Sequence, residues 1–245
     1  MEIKTILWRE WLFLKHRFVK ITLGQLVTPL LYLLTFGIGI GGGLMVEGRP
    51  YIFFLVPGIL SMATMRNSYT AIATRISITR LHEKSFECFV YSPTRMSGLV
   101  IGYVLAGALR GMYAGVFVIA IGLFAGAGIV LNGWLILAML LNAVIFSSLG
   151  FFAAMVINTH YDLNNFNSMI ITPMTFLCGT FFSLNNMPLL IRWLIELLPL
   201  THTTKLIRQI ALGEGADPVL LLVVVLFALM FILLCIRVCY REIKD

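Results

Sequence analysis

The sequence predicts an all-α integral membrane protein with six transmembrane helices. Long apolar stretches occupy most of the 245 residues, and the clearest is 21–46, where 26 consecutive residues carry no charge. About 20 apolar residues in a helix cross the roughly 30 Å of hydrocarbon in a bilayer. Charged residues make up only 12% of the chain, whereas an ordinary soluble domain carries about 25%. We therefore expect one membrane domain over 1–245 and no separate soluble domain.

The first 20 residues are amphipathic. Leu7, Trp8, Trp11 and Leu12 share one side of a helix and alternate with basic residues. Tryptophan prefers the headgroup level of a bilayer, and basic residues favour anionic lipid. We expect an interfacial helix over 1–17. The apolar run that follows is too long for the 7–15-residue core of a signal peptide, so it is predicted to remain as the first span.

Glycines and polar turns divide the rest of the apolar sequence. Residues 96–159 contain Arg110 as their only charge and are long enough for two spans, which Asn132-Gly133 separates as a turn. Two short amphipathic pieces, 188–198 and 201–213, precede the last span. The predicted spans 1 to 6 lie at about 21–42, 51–72, 98–129, 134–157, 168–184 and 218–237. A short polar loop is expected at 160–167, between spans 4 and 5.

The distribution of Lys and Arg predicts the orientation. Five precede span 1, four lie in 73–97 and three follow in the tail, which places twelve on the side of both termini; four lie on the other side. Because cytoplasmic loops are enriched in Lys and Arg, both termini are expected in the cytoplasm. The net charge of +7 is explained in the same way, and nucleic acid is not expected as a partner.

Span 3 contains a ladder of small residues and one charge. Gly107, Gly111 and Gly115 repeat at every fourth position, which allows close approach of a neighbouring helix. Arg110 lies inside this span and Arg66 inside span 2. A cation in hydrocarbon costs several kcal/mol. Each arginine therefore needs a partner, a cavity, or a path along which its side chain reaches the interface.

No catalytic, metal or nucleotide site is evident in the sequence. The four histidines are dispersed, the four cysteines form no CxxC pair, and no HExxH is present. No Lys follows a Gly, so the phosphate-binding GxxxxGK[ST] motif is absent. We expect no metal and no cofactor bound by this chain, and any ATP with its Mg²⁺ must be bound by a separate subunit.

The polar segment 73–97 predicts a short helix outside the membrane. Phe86, Phe89 and Val90 have the spacing of one helix face, Glu83 and Glu87 lie four apart on another, and Pro93 ends the helix. Such a helix is either a docking surface for a cytoplasmic partner or an ordinary surface helix between two spans.

Several short motifs together resemble one family. They are Glu83-Lys84-Ser85-Phe86-Glu87, Ser92-Pro93-Thr94, Gly102-Tyr103-Val104, Arg110-Gly111, Thr172-Pro173-Met174, Phe181-Phe182-Ser183 and Leu198-Pro199-Leu200-Thr201-His202. Their order and spacing resemble the permease subunit of ABC type 2 exporters, a group that includes O-antigen and polysaccharide, nodulation-factor and drug-efflux permeases. The resemblance covers nearly the whole chain.

The resemblance implies a homodimer of six-span permeases, with two copies of a cytoplasmic ABC ATPase bound to it. It implies a cytoplasmic coupling helix at 80–94, between spans 2 and 3, and two short re-entrant external helices at 185–213, between spans 5 and 6. The residues expected at the ATPase interface are Glu83, Lys84, Phe86, Glu87, Phe89, Ser92, Pro93, Trp8 and Arg9.

The function expected is export of an amphiphilic substrate, such as a lipid-linked glycan, a lipo-oligosaccharide or a hydrophobic drug, across the cytoplasmic (inner) membrane of a bacterium. Candidate residues of the substrate path are Tyr32, Phe36, Arg110, Met174, Phe176, Phe181 and Phe182. Packing and lipid-facing roles remain open for each of the aromatic and Met candidates. Two other functions also remain open: a secondary transporter or channel that works without an ATPase, and a membrane-embedded transferase.

Overall fold

The chain is almost entirely helical in a computed structural model, which describes residues 2–46, 48–83, 96–184 and 187–241. Ten α-helices occur in these ranges: α1 (Glu2–His16), α2 (Phe18–Tyr32), α3 (Tyr51–Ser77), α4 (Met96–Phe124), α5 (Gly133–Val156), α6 (His160–Phe166), α7 (Thr172–Leu177), α8 (Leu189–Glu196), α9 (Pro199–Ala211) and α10 (Pro218–Arg241). Three π-helical segments, Leu33–Ile40, Ile78–His82 and Asn167–Ile171, continue α2, α3 and α6.

The fold is all-α apart from one very short antiparallel ladder. Strands β1 (Met45–Val46) and β2 (Arg49–Pro50) pair between α2 and α3. Four helical segments in the described ranges are long and apolar enough to cross a membrane: Phe18–Ile40, Met96–Phe124, Gly133–Val156 and Pro218–Arg241. They coincide with predicted spans 1, 3, 4 and 6. Predicted span 3 extended to 129, but its helix ends at Phe124.

The helices at predicted spans 2 and 5 are not among these four apolar segments. Span 2 corresponds to α3, which is longer than predicted and contains three Ser, three Thr and one Asn. Span 5 corresponds to α6, its π segment and α7, and it begins at His160 instead of 168. The prediction of a polar loop at 160–167 was therefore wrong. Thr159 starts the helix there, because its hydroxyl oxygen accepts the backbone N–H of Asp162 at 3.0 Å.

Helix α3 lies at the centre of the packing. It contacts α4 and α5 along its length and α9 near its first turns. A Cβ on Gly111 of α4 would lie only 2.7 Å from the carbonyl oxygen of Thr64 in α3 and 3.1 Å from Cβ of Ala143 in α5. The small residue thus lets three helices approach closely, which confirms the packing role predicted for the glycine ladder.

The outer helices α2 and α10 expose apolar side chains over most of their length. Leu23, Val27 and Leu31 of α2 are each more than half exposed, as are Leu222 and Leu226 of α10. In a membrane protein such surfaces face lipid or another subunit, so these apolar side chains are not exposed to water. Helix α1 packs against α4 and also exposes Trp8 and Trp11.

Candidate functional site

Polar contacts attach the N-terminal helix to the middle of the bundle. Arg9 donates a hydrogen bond to the hydroxyl of Tyr103 at 3.0 Å, and Glu10 forms an ion pair with Arg110. The guanidinium of Arg110 also lies 4.6 Å from the ring centre of Phe13. Arg110 therefore has a partner that compensates its charge. The sequence could not identify this partner, because Glu10 lies 100 residues away in the chain.

An open cleft of about 690 Å³ lies beside this contact, between the N-terminal helices, α3 and α4. We call it the basic cleft. Its lining includes five cationic and two carboxylate side chains: Arg9, Arg17, Lys20, Arg75, Arg110, Glu10 and Glu83. Its volume lies in the range of roughly 300–1,000 Å³ typical of small-molecule sites. The cleft is thus large enough for a ligand, and its lining has a net positive charge.

A second cavity of about 220 Å³ continues the cleft along α2 and α3. The two share Gly24, Gln25, Asn67 and Thr70. The second cavity also includes Arg66, which makes no hydrogen bond or ion pair with the residues that the structure describes. The sequence predicted that Arg66 needs a partner, a cavity or a path to the interface, and the structure shows it lining a cavity.

Four of the predicted path residues form an aromatic cluster. The ring centre of Phe181 lies 5.1 Å from that of Tyr32, 4.7 Å from Phe36 and 5.6 Å from Phe176. The cluster joins the end of α2 to α7 and the turn that follows it. The hydroxyl of Tyr51 donates to the carbonyl oxygen of Phe181 at 2.6 Å. The first residue of α3 therefore positions the turn that carries the central ring.

The other predicted path residues lie elsewhere. Met174 is buried, and Arg110 lies in the basic cleft. Phe182 is partly exposed and lines a separate cavity of about 330 Å³ with Arg192, Lys205 and Arg208. The structure thus brings together four of the seven candidates, and a role of any of them in a substrate path stays a prediction.

Helices α8 and α9 form a connected polar structure in the predicted external segment. Thr201 donates to the carbonyl oxygen of Ile195 at 2.6 Å, and the ring of His202 contacts the carbonyl oxygen of Glu196 at 2.8 Å. A hydrogen bond from Arg192, and then one from Lys205, hold the pKa of Glu196 below its ordinary value. Two short helices therefore occupy most of the predicted segment 185–213, although 185 and 186 lie outside the described residues.

Asn142 connects three helices inside the bundle, a feature that the sequence analysis did not predict. Its amide nitrogen donates to the carbonyl oxygen of Ser61 at 2.9 Å and to the hydroxyl of Thr64 at 2.6 Å. Its amide oxygen accepts from the hydroxyl of Thr203 at 2.9 Å. The signal in the sequence was an amide in the middle of an apolar span, where polar side chains commonly bond to neighbouring helices.

The predicted ATPase interface is described only in part. Lys84, Phe86, Glu87, Phe89, Ser92 and Pro93 lie outside the described residues. Glu83 is exposed at the end of the π segment that continues α3. Trp8 is exposed on α1, and Arg9 is partly buried beside Tyr103. Glu83 therefore lies at one end of the bundle, and Trp8 and Arg9 lie on α1, which borders the basic cleft.

The residues that could hold a metal are dispersed. Within the described ranges, no three His, Cys, Asp or Glu side chains lie close enough to bind one. Cys178, Cys235 and Cys239 are free and buried, and Cys88 lies outside those ranges.

Comparison with known proteins gives consistent matches over most of the chain. A family model described as "ABC-2 type transporter" matches residues 1–212. The chain is 30% identical over 229 residues to the inner membrane transport permease YadH of Escherichia coli, covering 90% of this chain and 89% of that protein. It is 32% identical over 208 residues to nodulation protein J of Bradyrhizobium diazoefficiens, covering 80% and 75%. The resemblance found in the sequence is thereby confirmed.

Proposed function

Because this chain belongs to the ABC-2 type transporter family, we propose that it is the permease subunit of an ATP-driven exporter in a bacterial inner membrane. The observation that carries the proposal is the family match over residues 1–212. The E. coli relative is named an inner membrane transport permease, and the apolar helices suit a multi-pass protein. In this proposal α3 and the α6–α7 segment are spans two and five, which completes six.

A separate subunit supplies the ATP chemistry in this proposal. The sequence lacks the GxxxxGK[ST] motif that binds nucleotide phosphates. A cytoplasmic ABC ATPase, one for each permease of a homodimer, binds ATP and Mg²⁺ and docks against the segment that follows Glu83 and against α1. Lys and Arg are enriched before span 1, in 73–97 and in the C-terminal tail, which supports a cytoplasmic location for these segments.

Helix α3 is suited to transmit movement from that docking site. It has 27 residues, which corresponds to about 40 Å at 1.5 Å per residue. Its π-helical continuation ends next to Glu83, and Tyr51 at its other end bonds to the carbonyl oxygen of Phe181. A displacement at the ATPase would therefore reach the aromatic cluster through one continuous helix.

The transported molecule in this proposal is amphiphilic. The aromatic cluster of Tyr32, Phe36, Phe176 and Phe181 offers apolar faces between spans one and five, and such faces accommodate both acyl chains and sugar rings. The cluster lies at the end of α2, whose outer surface is apolar and exposed. A lipid-linked glycan, a lipo-oligosaccharide or a hydrophobic drug fits this chemistry.

The docking step is tested by reversing one charge. We expect Glu83→Lys to reduce co-purification of the cytoplasmic ATPase with the tagged permease several-fold, while membrane insertion is unchanged. The matched control is Glu214→Lys, because Glu214 is exposed and pairs with Arg49 beyond the other end of α3. Equal recovery of the ATPase with wild type and Glu83→Lys would contradict the docking role.

A further inference from the structure

We propose that the basic cleft binds the anionic headgroup of an amphiphile. The entry of this amphiphile into an export path rests on the proposed function, whereas the binding of its headgroup depends only on the cleft. The chemistry required is a phosphate or similar anion that carries at least one apolar chain. Two sources have this chemistry, namely the transported substrate and an anionic lipid of the bilayer.

The charges of the cleft are the first argument. Glu10 pairs with Arg110, which leaves Arg9, Arg17, Lys20 and Arg75 on the lining without a carboxylate partner among the described residues. Among the described residues, the Arg9 side chain donates only to the neutral hydroxyl of Tyr103, and the guanidinium of Arg17 lies over the ring of Phe13. Cations gathered in one cleft repel each other and attract an anion, and low-dielectric walls strengthen both effects.

The inner end of the cleft provides the second argument. Gln25 has a buried side-chain oxygen without a hydrogen-bond partner among the described residues, and it lines both cavities together with Asn67 and Thr70. A buried polar atom without a partner costs roughly 1–3 kcal/mol. A headgroup hydroxyl that donates to this oxygen would remove the cost. The cleft lining therefore combines cations with neutral polar groups where the two cavities meet.

The position of Gly24 provides the third argument. A Cβ on Gly24 would meet no atom within 4 Å, so the helix borders open space where the two cavities join. Leu23 and Val27, close to Gly24 on α2, are each more than half exposed. An amphiphile can thus place its headgroup among the cations and its chain along α2 in the bilayer.

Binding is tested with the full chain in phosphatidylcholine nanodiscs and two fluorescent probes, a dodecyl phosphate monoester and the matched dodecylphosphocholine. We expect the anionic probe to bind about tenfold more tightly or better. The variant Lys20→Gln/Arg75→Gln should weaken its binding by about 30-fold, at about fivefold for each basic residue near the anion. Equal binding of the two probes to wild type would overturn the proposal.

Matched variants separate the cleft from general surface charge. Lys4→Gln/Lys15→Gln removes two exposed cations that do not line the cleft, and it should change the affinity less than about twofold. Gly24→Leu fills open space and should abolish binding without a steric conflict, whereas Gly133→Leu, also next to open space, should not. Equal losses in both members of either pair would overturn the assignment.

Two further measurements identify the source and keep the two proposals apart. Adding phosphatidylglycerol to the nanodiscs displaces the probe if a bilayer lipid occupies the cleft. It leaves the probe bound if the cleft selects a different anionic amphiphile. Either result agrees with an anionic headgroup site. Loss of the probe preference with normal ATPase co-purification would overturn this inference alone, and the reverse result would overturn the docking proposal alone.

Discussion

Two arginines that lie near opposite ends of α3 differ in their partners. Near its start, Arg208 of α9 donates to the carbonyl oxygens of Phe54 at 3.3 Å and Gly179 at 2.7 Å, and it lies 3.6 Å from the ring centre of Phe54. Near its end, Arg75 lines an open cleft and has no partner among the described residues. We call these the closed end and the open end. A cation with protein partners stabilises the fold, whereas one without them is available to a ligand.

The largest expected effect is the difference between matched variants of these two arginines. Arg208→Gln should lower the free energy of unfolding by about 2–3 kcal/mol, because hydrogen bonds from a charged donor and a cation–π contact are lost. Arg75→Gln should cost nothing or stabilise slightly, because repulsion between neighbouring cations falls. Thermal unfolding of both variants in the same detergent measures the difference. Equal destabilisation would remove the distinction between the two ends.

An intermediate effect is expected at Asn142, which bonds to α3 near its middle, between the two ends. Asn142→Leu should cost about 1 kcal/mol, since hydrogen bonds between transmembrane helices average about 0.6 and reach about 1.7 kcal/mol. The control is Ser148→Ala, because among the described residues the hydroxyl of Ser148 bonds only within its own helix, to Val144. A loss at Asn142 no larger than at Ser148 would show that the bonds between α3, α5 and α9 add little to stability.

Features that depend on neighbouring residues were predictable from the sequence. Four spans, the boundary between spans 3 and 4 at Asn132-Gly133 and the two short helices near 185–213 follow from apolar length and turn residues within short windows. The glycine ladder was also predictable, because its period alone places small residues on one helix face. The start of α6 was missed because polarity at 160–167 suggested a loop, whereas Thr159 caps a helix there.

Features that depend on pairing across long separations were not predictable. Nothing in the local sequence of Arg110 indicates Glu10 as its partner, and Arg208 contacts α3 across 154 positions. The basic cleft combines residues from four helices, so the clustering of its charges cannot be predicted from the order of residues in the sequence. The aromatic path residues were predicted as candidates, but only the fold shows that Phe181 contacts three of them and Phe182 does not join them.

The smallest expected effect is at Glu196, on the exposed surface of the closed end. Its carboxylate accepts from Arg192 at 3.2 Å and Lys205 at 3.3 Å, and the hydrogen bond from Arg192, the larger cause, holds its pKa below the ordinary value. Glu196→Gln should cost at most about 0.5 kcal/mol near pH 7, because about a third of the Glu196 side chain is exposed and salt screens the pair.

The pH dependence decides whether that cost comes from charge. A lowered folded-state pKa means that the stabilisation is complete above the ordinary glutamate pKa and is lost as the pH falls through the folded value. The difference in melting temperature between wild type and Glu196→Gln should therefore be present near neutral pH and disappear in acid. Glu214→Gln is the control, because its pair with Arg49 is longer, at 3.8 Å, and more exposed. If the difference in melting temperature persisted in acid, the effect would come from the packing of Glu196 and not from its charge.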